Sequence, residues 1–164
     1  MNYDIEIFKY LLDRQPNFEK DNDLILMSSI WYVIESFGGT KMSNDSYYIE
    51  DSYCCTAKGL INYNVEHYTL QNQYLNGYNF TFKGKEIVES LKEMLMNYKS
   101  IKNESLINAV AIVDYMQRYG FIKDEPMNET IKRIAPNFLD LVPQAEETIE
   151  YINYKLNNKS ELDV

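Results

Sequence analysis

The chain has 164 residues, 45% of them hydrophobic and 25% charged, and its 16 basic and 25 acidic side chains leave a net charge of −9. That length fits one domain with a self-sufficient core, and the apolar fraction excludes wholesale disorder. The acidic excess excludes a protein that simply coats nucleic acid, because such binding depends on broad phosphate neutralisation.

Residues 3–13 carry Ile7, Phe8, Leu11 and Leu12 at helical spacing behind Asp4 and Glu6. This predicts a short amphipathic helix ended by Gln15-Pro16. Glu19-Lys20-Asp21-Asn22-Asp23 supplies cap candidates for a second helix. In it Leu26, Met27, Ile30, Trp31, Ile34 and Phe37 share one broad face, and Gly38-Gly39 stops it. That segment is expected to be the central core helix. The longest apolar run, Leu24 to Phe37, is broken by Ser28, Ser29 and Glu35, short of the roughly 18–20 apolar residues of a membrane span. The start, Met1 to Glu6, lacks the basic and apolar pattern of a signal peptide. A soluble, cytoplasmic protein without a membrane segment is expected.

Asp51 or Ser52 caps a predicted short helix from Tyr53 to Lys58, with Gly59 at its C-terminal end. The period then changes. Ile61 to Tyr68 alternates apolar-type and polar residues, Asn76-Gly77 is a strong hairpin-turn signal, and Tyr78 to Phe82 alternates again. A hairpin or small three-stranded sheet is predicted there, the one clear β region.

Thr81 is a cap candidate for the next helix, where Ile87, Val88, Leu91, Met94, Leu95 and Tyr98 form an amphipathic stripe. After a polar joint, Lys99 to Glu104, a further helix is capped by Asn103 or Ser105 and ended by Tyr119-Gly120. Its apolar set, Leu106, Ile107, Ala109, Val110, Ile112, Val113 and Met116, is wide enough for deep burial. Asp124 and Pro126 open a short helix with Ile131 and Ile134 inward, broken by Ala135-Pro136. The last helix starts near Pro143, with Ala145, Ile149, Ile152 and Leu156 on one face and a fraying end from Asn157.

This order predicts an α+β, mostly α fold: a single domain over 1–164, with a winged-helix-like half (24–98), a small β-hairpin sheet, and a half of C-terminal helices (103–157). The segment Ala57-Lys58-Gly59-Leu60-Ile61, followed by Tyr78-Asn79-Phe80-Thr81-Phe82-Lys83-Gly84-Lys85-Glu86, resembles the phrasing that closes the recognition helix and the wing of bacterial winged-helix proteins. Ile107 to Met116, Ile131 to Phe138 and Ala145 to Ile152 look like the tail of YwgA-like proteins and, more distantly, of Panacea-type (SocA-like) antitoxin-associated domains. The resemblance spans roughly residues 24–156. It implies a winged-helix half joined to a helical half in a bacterial, phage or mobile-element setting, and no catalytic signature. The abundance of Tyr (15), Asn (17) and Ile (16), with 13 Lys against 3 Arg, fits AT-rich codons and the same setting.

Charge is unevenly spread. Residues 1–53 hold 4 basic and 10 acidic side chains, residues 54–92 hold 4 and 3, and residues 93–164 hold 8 and 12. The proposed wing alone is not acidic. It offers Lys58, Lys83 and Lys85 for phosphates, with Tyr53 and Thr56 toward base edges. Three lysines are few beside the roughly 6–10 phosphate contacts of a strong DNA-binder, although a homodimer would double them.

Catalytic and metal chemistry find little support. The adjacent Cys54 and Cys55 build no disulfide framework, and with His67 they are too few for zinc unless carboxylates join. A Cys–His nucleophile pair lacks an evident third group. No glycine pattern matches a phosphate loop. Glu146 and Glu147, neighbours in sequence, point different ways on a helix and read as a solvated face. No cofactor is expected. The tyrosine excess, notably Tyr47, Tyr48, Tyr68, Tyr74 and Tyr78, suits a protein interface, with codon bias and base stacking as rival explanations.

The sequence therefore ranks three readings. The first is a non-enzymatic interaction protein, antitoxin-like or an inhibitor of a defence system, whose acidic flanks meet a basic, nucleic-acid-binding surface of a protein partner. The second is a dimeric DNA-binding regulator using residues 53–85. The third and remotest is a cysteine-dependent enzyme.

Overall fold

A computed structural model describes residues 3–17, 19–39, 82–98, 103–119, 126–134 and 136–160. Six α-helices run in order: α1 Tyr3–Leu12, α2 Asp21–Ser36, α3 Phe82–Asn97, α4 Asn103–Tyr119, α5 Met127–Ile134 and α6 Val142–Ser160. A 3-10 turn, Pro136–Leu141, joins the last two. Every element among the described residues is helical.

The α+β winged-helix expectation is overturned. The alternation over Tyr78 to Phe82 spans only five residues, whereas α3 begins at Phe82. Gly84, Ile87, Val88 and Leu91 are buried at helical spacing, so the core stripe extends back past the supposed wing. Lys83-Gly84, read as the close of a wing, lies in the first turn of that helix. The hairpin signals at 61–80 and the helix at 53–58 lie outside the described residues.

One apolar core unites the elements. Helix α4 packs against α2, α6 and the 3-10 turn, and α3 packs against α6 and α1. From Leu106 to Met116 only Asn108 is not buried, so the wide apolar set of α4 is as deeply placed as expected and shares the centre with α2. The predicted stripes hold: Ile87, Val88, Leu91, Met94 and Leu95 are buried on α3, and Ala145, Ile149 and Ile152 on α6. Among the described residues no helix is long and apolar enough to cross a membrane.

The helix ends show which local signals won. Asp13, at φ 55, closes α1 before Gln15-Pro16 is reached. Lys20 occupies the N-cap of α2 without a side-chain cap bond. At the other end the Gly38 N–H donates to the Glu35 carbonyl and the Gly39 N–H to the Ile34 carbonyl. With Gly38 at φ +81 this is a Schellman cap. Helix α6 runs past Asn157 to Ser160.

Gly39 also faces α3. A Cβ there would lie 2.6 Å from Ile34 Cγ2, 2.8 Å from the Ile34 carbonyl oxygen and 3.0 Å from Gly84 Cα. Two of these neighbours are backbone and cannot step aside. Gly39→Ala is expected to cost about 2 kcal/mol through overpacking. Urea unfolding measures it, and an unchanged midpoint would contradict this close approach.

Candidate partner-binding groove

The sequence-predicted site residues divide sharply. Tyr53, Thr56 and Lys58, the interface candidates Tyr47, Tyr48, Tyr68, Tyr74 and Tyr78, and Cys54, Cys55 and His67 lie outside the described residues. Lys83 and Lys85 are exposed on the first turn of α3, while Gly84 between them faces the core. Two residues apart on a helix, the two ammonium groups point to different sides and form neither a patch nor a basic stripe.

The buried carboxylate of Asp114 ties two helices together. Asp114 on α4 is 2% exposed. It accepts the Tyr32 hydroxyl at 3.0 Å and the Arg118 Nε–H at 2.9 and 3.0 Å. Arg118 also lies 5.0 Å over the Phe37 ring, and Tyr115 meets Tyr32 edge-on at 6.2 Å. This ties α2 to α4.

A second cluster fixes the α1–α2 turn. Arg14 donates to both oxygens of Asp23, at 2.9 and 2.7 Å, and to Glu104 on α4, while the Asn17 N–H donates to Asp23 at 2.7 Å. The Arg14 guanidinium is the main influence holding the Asp23 carboxyl below its ordinary range. Arg14 itself is pushed up, chiefly by its bond to Asp23.

Tyrosines form a third set of ties. The hydroxyls of Tyr10, Tyr98 and Tyr151 donate to Glu89, Glu147 and Glu93. Burial, then the bond to Glu147, pushes the Tyr98 phenol up to about 12. The bond to Glu93, then burial, does the same for Tyr151, up to about 12. Part of the tyrosine excess thus stitches helices together. Below the ordinary value near 10 these phenols are protonated in folded and unfolded chains alike. Between pH 10 and about 12 the unfolded chain loses protons that the folded chain keeps, so stability falls as pH rises. Tyr98→Phe with Tyr151→Phe is expected to flatten that alkaline limb in urea titrations; an unaltered limb would contradict it.

An open groove lies between α5 and α6, about 640 Å³ in volume. Asn128, Glu129 and Lys132 of α5 line one side, and Pro143, Glu146, Glu147 and Glu150 of α6 the other, with Leu139 and Val142 at the base. Pro143, Glu146, Glu147 and Glu150 are spaced i, i+3, i+4 and i+7, one face over two turns. Val142 is 3% exposed and Leu139 packs on the core, so the base is rigid and apolar. Glu129, Glu147 and Glu150 are exposed and Glu146 half-buried. The groove thus carries four carboxylates against one ammonium. Glu147 is held from α3 by the Tyr98 hydroxyl.

Reading Glu146 and Glu147 as unrelated neighbours missed this. Successive residues on a helix are about 100° apart, so both can border a groove centred between them. The spacing 143/146/147/150 was the available signal; the approach of α5 was not visible.

Among the described residues no group of three or more His, Cys, Asp or Glu side chains is disposed to hold a metal ion. No protein-family model, curated protein or solved structure matches the chain.

Proposed function

We propose that the chain is a non-enzymatic, cytoplasmic protein that binds and modulates a protein partner, in the manner of an antitoxin or an inhibitor of a defence system. The observation that carries this reading is the α5–α6 groove, whose apolar base is bordered by Glu129, Glu146, Glu147 and Glu150. Carboxylates flanking apolar surface match a partner surface rich in Lys or Arg, whose aliphatic stems cover the base while their charged ends meet the acids. A toxin or defence protein that works on nucleic acid carries such a surface, and covering it would block that work.

The acids are also costly where they stand. Glu146 and Glu150 are like charges at i, i+4, an arrangement that destabilises a helix by a few tenths of a kcal/mol. A basic partner relieves that repulsion. The test compares capture of proteins from a nuclease-treated host lysate by the wild type and by Glu146→Lys/Glu150→Lys. A partner retained by the first and lost by the second is expected; a partner retained equally by both would overturn the reading. Duplex DNA bound tightly, with a steep salt dependence lost in Lys83→Ala/Lys85→Ala, would replace it with the regulator.

A further inference from the structure

We infer that the element seated in the α5–α6 groove is an amphipathic basic helix of the partner, with Lys or Arg one turn apart. This rests on the protein-binding reading and adds the conformation and the pattern of the segment recognised.

Both groove walls are helices, α5 and α6, whose backbone groups beyond the end turns are bonded within the helix. Among the described residues there is no strand, hence no sheet edge there to pair with an extended peptide. An extended segment laid over Leu139 and Val142 would press unpaired N–H and C=O groups onto an apolar base, which is costly. A helix satisfies its own backbone and presents only side chains. The third common mode, a polyproline segment, docks in aromatic-lined grooves, and no aromatic lines this one. Two adjacent helices leave a furrow shaped to take the ridge of a third.

The charge pattern gives the register. Glu146 and Glu150 are four residues apart on α6, about 6 Å along its axis. Lys or Arg at i and i+4 of an incoming helix repeat at the same distance. Glu129, across the groove on α5, meets a basic side chain on the other flank of that helix. An apolar residue between the two basic flanks reaches the Leu139–Val142 base. The resulting pattern, apolar centre with basic flanks at helical period, is specific enough to test with synthetic probes.

Three peptides of about 18 residues, long enough for a helix to form, serve as those probes. One is built of Leu and Lys at helical period. The second has the same composition in strict Leu-Lys alternation, a strand period. The third is oligolysine. Binding to the full chain is measured by fluorescence anisotropy at low salt, with circular dichroism of the peptides. The helical-period peptide is expected to bind about tenfold more tightly than either of the others and to gain helicity on binding. Glu146→Gln/Glu150→Gln is expected to weaken it about five- to tenfold while leaving the urea midpoint unchanged or slightly higher. Equal or tighter binding of the alternating peptide or of oligolysine would overturn the helical element and leave the protein-binding reading standing. Binding indifferent to the Gln variant would overturn the groove as its seat. Self-association of the chain that disappears in the Gln variant would make the occupant a second copy and overturn the inference. Binding of no peptide would overturn both the inference and the reading beneath it.

Discussion

Replacing Arg14 with methionine is expected to destabilise the fold by about 3 kcal/mol, a large share of the 5–15 kcal/mol typical of a domain. The size follows from what is left behind. The Asp23 side chain is only 5% exposed, and Arg14 supplies two of the three hydrogen bonds described for its carboxylate. Without the guanidinium a nearly buried charge keeps just the Asn17 N–H. Removing one partner of a buried pair costs about 3–5 kcal/mol, and the lower end applies because the Arg14 side chain is 38% exposed. The same change releases Glu104, so the α1–α2 turn loses its tie to α4. Arg14→Met/Asp23→Leu is expected to recover much of the loss, since no uncompensated charge remains.

The pH dependence has a definite sign. The folded Asp23 carboxyl titrates below its unfolded value, so its contribution is fully present above the unfolded value near 4. It is lost as pH falls through the lower, folded value. Arg14→Met therefore flattens the acid limb of stability below about pH 4. Urea unfolding over that range measures it; a parallel shift of the whole curve would contradict the pairing.

The second large effect concerns binding. Glu146→Lys/Glu150→Lys is expected to weaken the partner complex by roughly 100- to 1,000-fold. Two attractions of about 1 kcal/mol each are lost, and two comparable repulsions are gained, together about 3–4 kcal/mol. Fold stability is expected to move by no more than about 0.5 kcal/mol, because Glu150 is exposed, Glu146 is half-buried, and one like-charge pair replaces another. Wild-type binding weakens with salt, since the screening length falls from about 10 Å at 0.1 M to about 3 Å at 1 M. Large loss of binding at unchanged stability separates a recognition role from a structural one.

What the sequence revealed and what it hid have physical causes. The stripe from Ile87 to Leu95 and the set Ala145, Ile149 and Ile152 were legible because each helix reports its own buried face through a local period. So was the stop at Gly38-Gly39, where glycine supplies the left-handed conformation a Schellman cap needs. The alternation ending at Phe82 ran one residue into α3, whose buried Gly84 adds no apolar signal, while Tyr78 to Thr81 lie outside the described residues. Asp23 read as a cap, yet its partners Arg14 and Asn17 lie on the incoming turn. The groove was hidden for a tertiary reason. Glu129 and Glu150 lie 21 positions apart, and only the fold back through the 3-10 turn Pro136–Leu141 sets them on facing sides.

Comparative capture tests the central claim most directly. Immobilised wild type, Glu146→Lys/Glu150→Lys and Lys83→Ala/Lys85→Ala are exposed to the same nuclease-treated host lysate and eluted across a salt series. One basic protein is expected, held by the wild type and by Lys83→Ala/Lys85→Ala, released by salt, and absent from the groove variant. Retention by the groove variant at wild-type strength, or no basic protein retained by the wild type, would contradict partner binding at the groove.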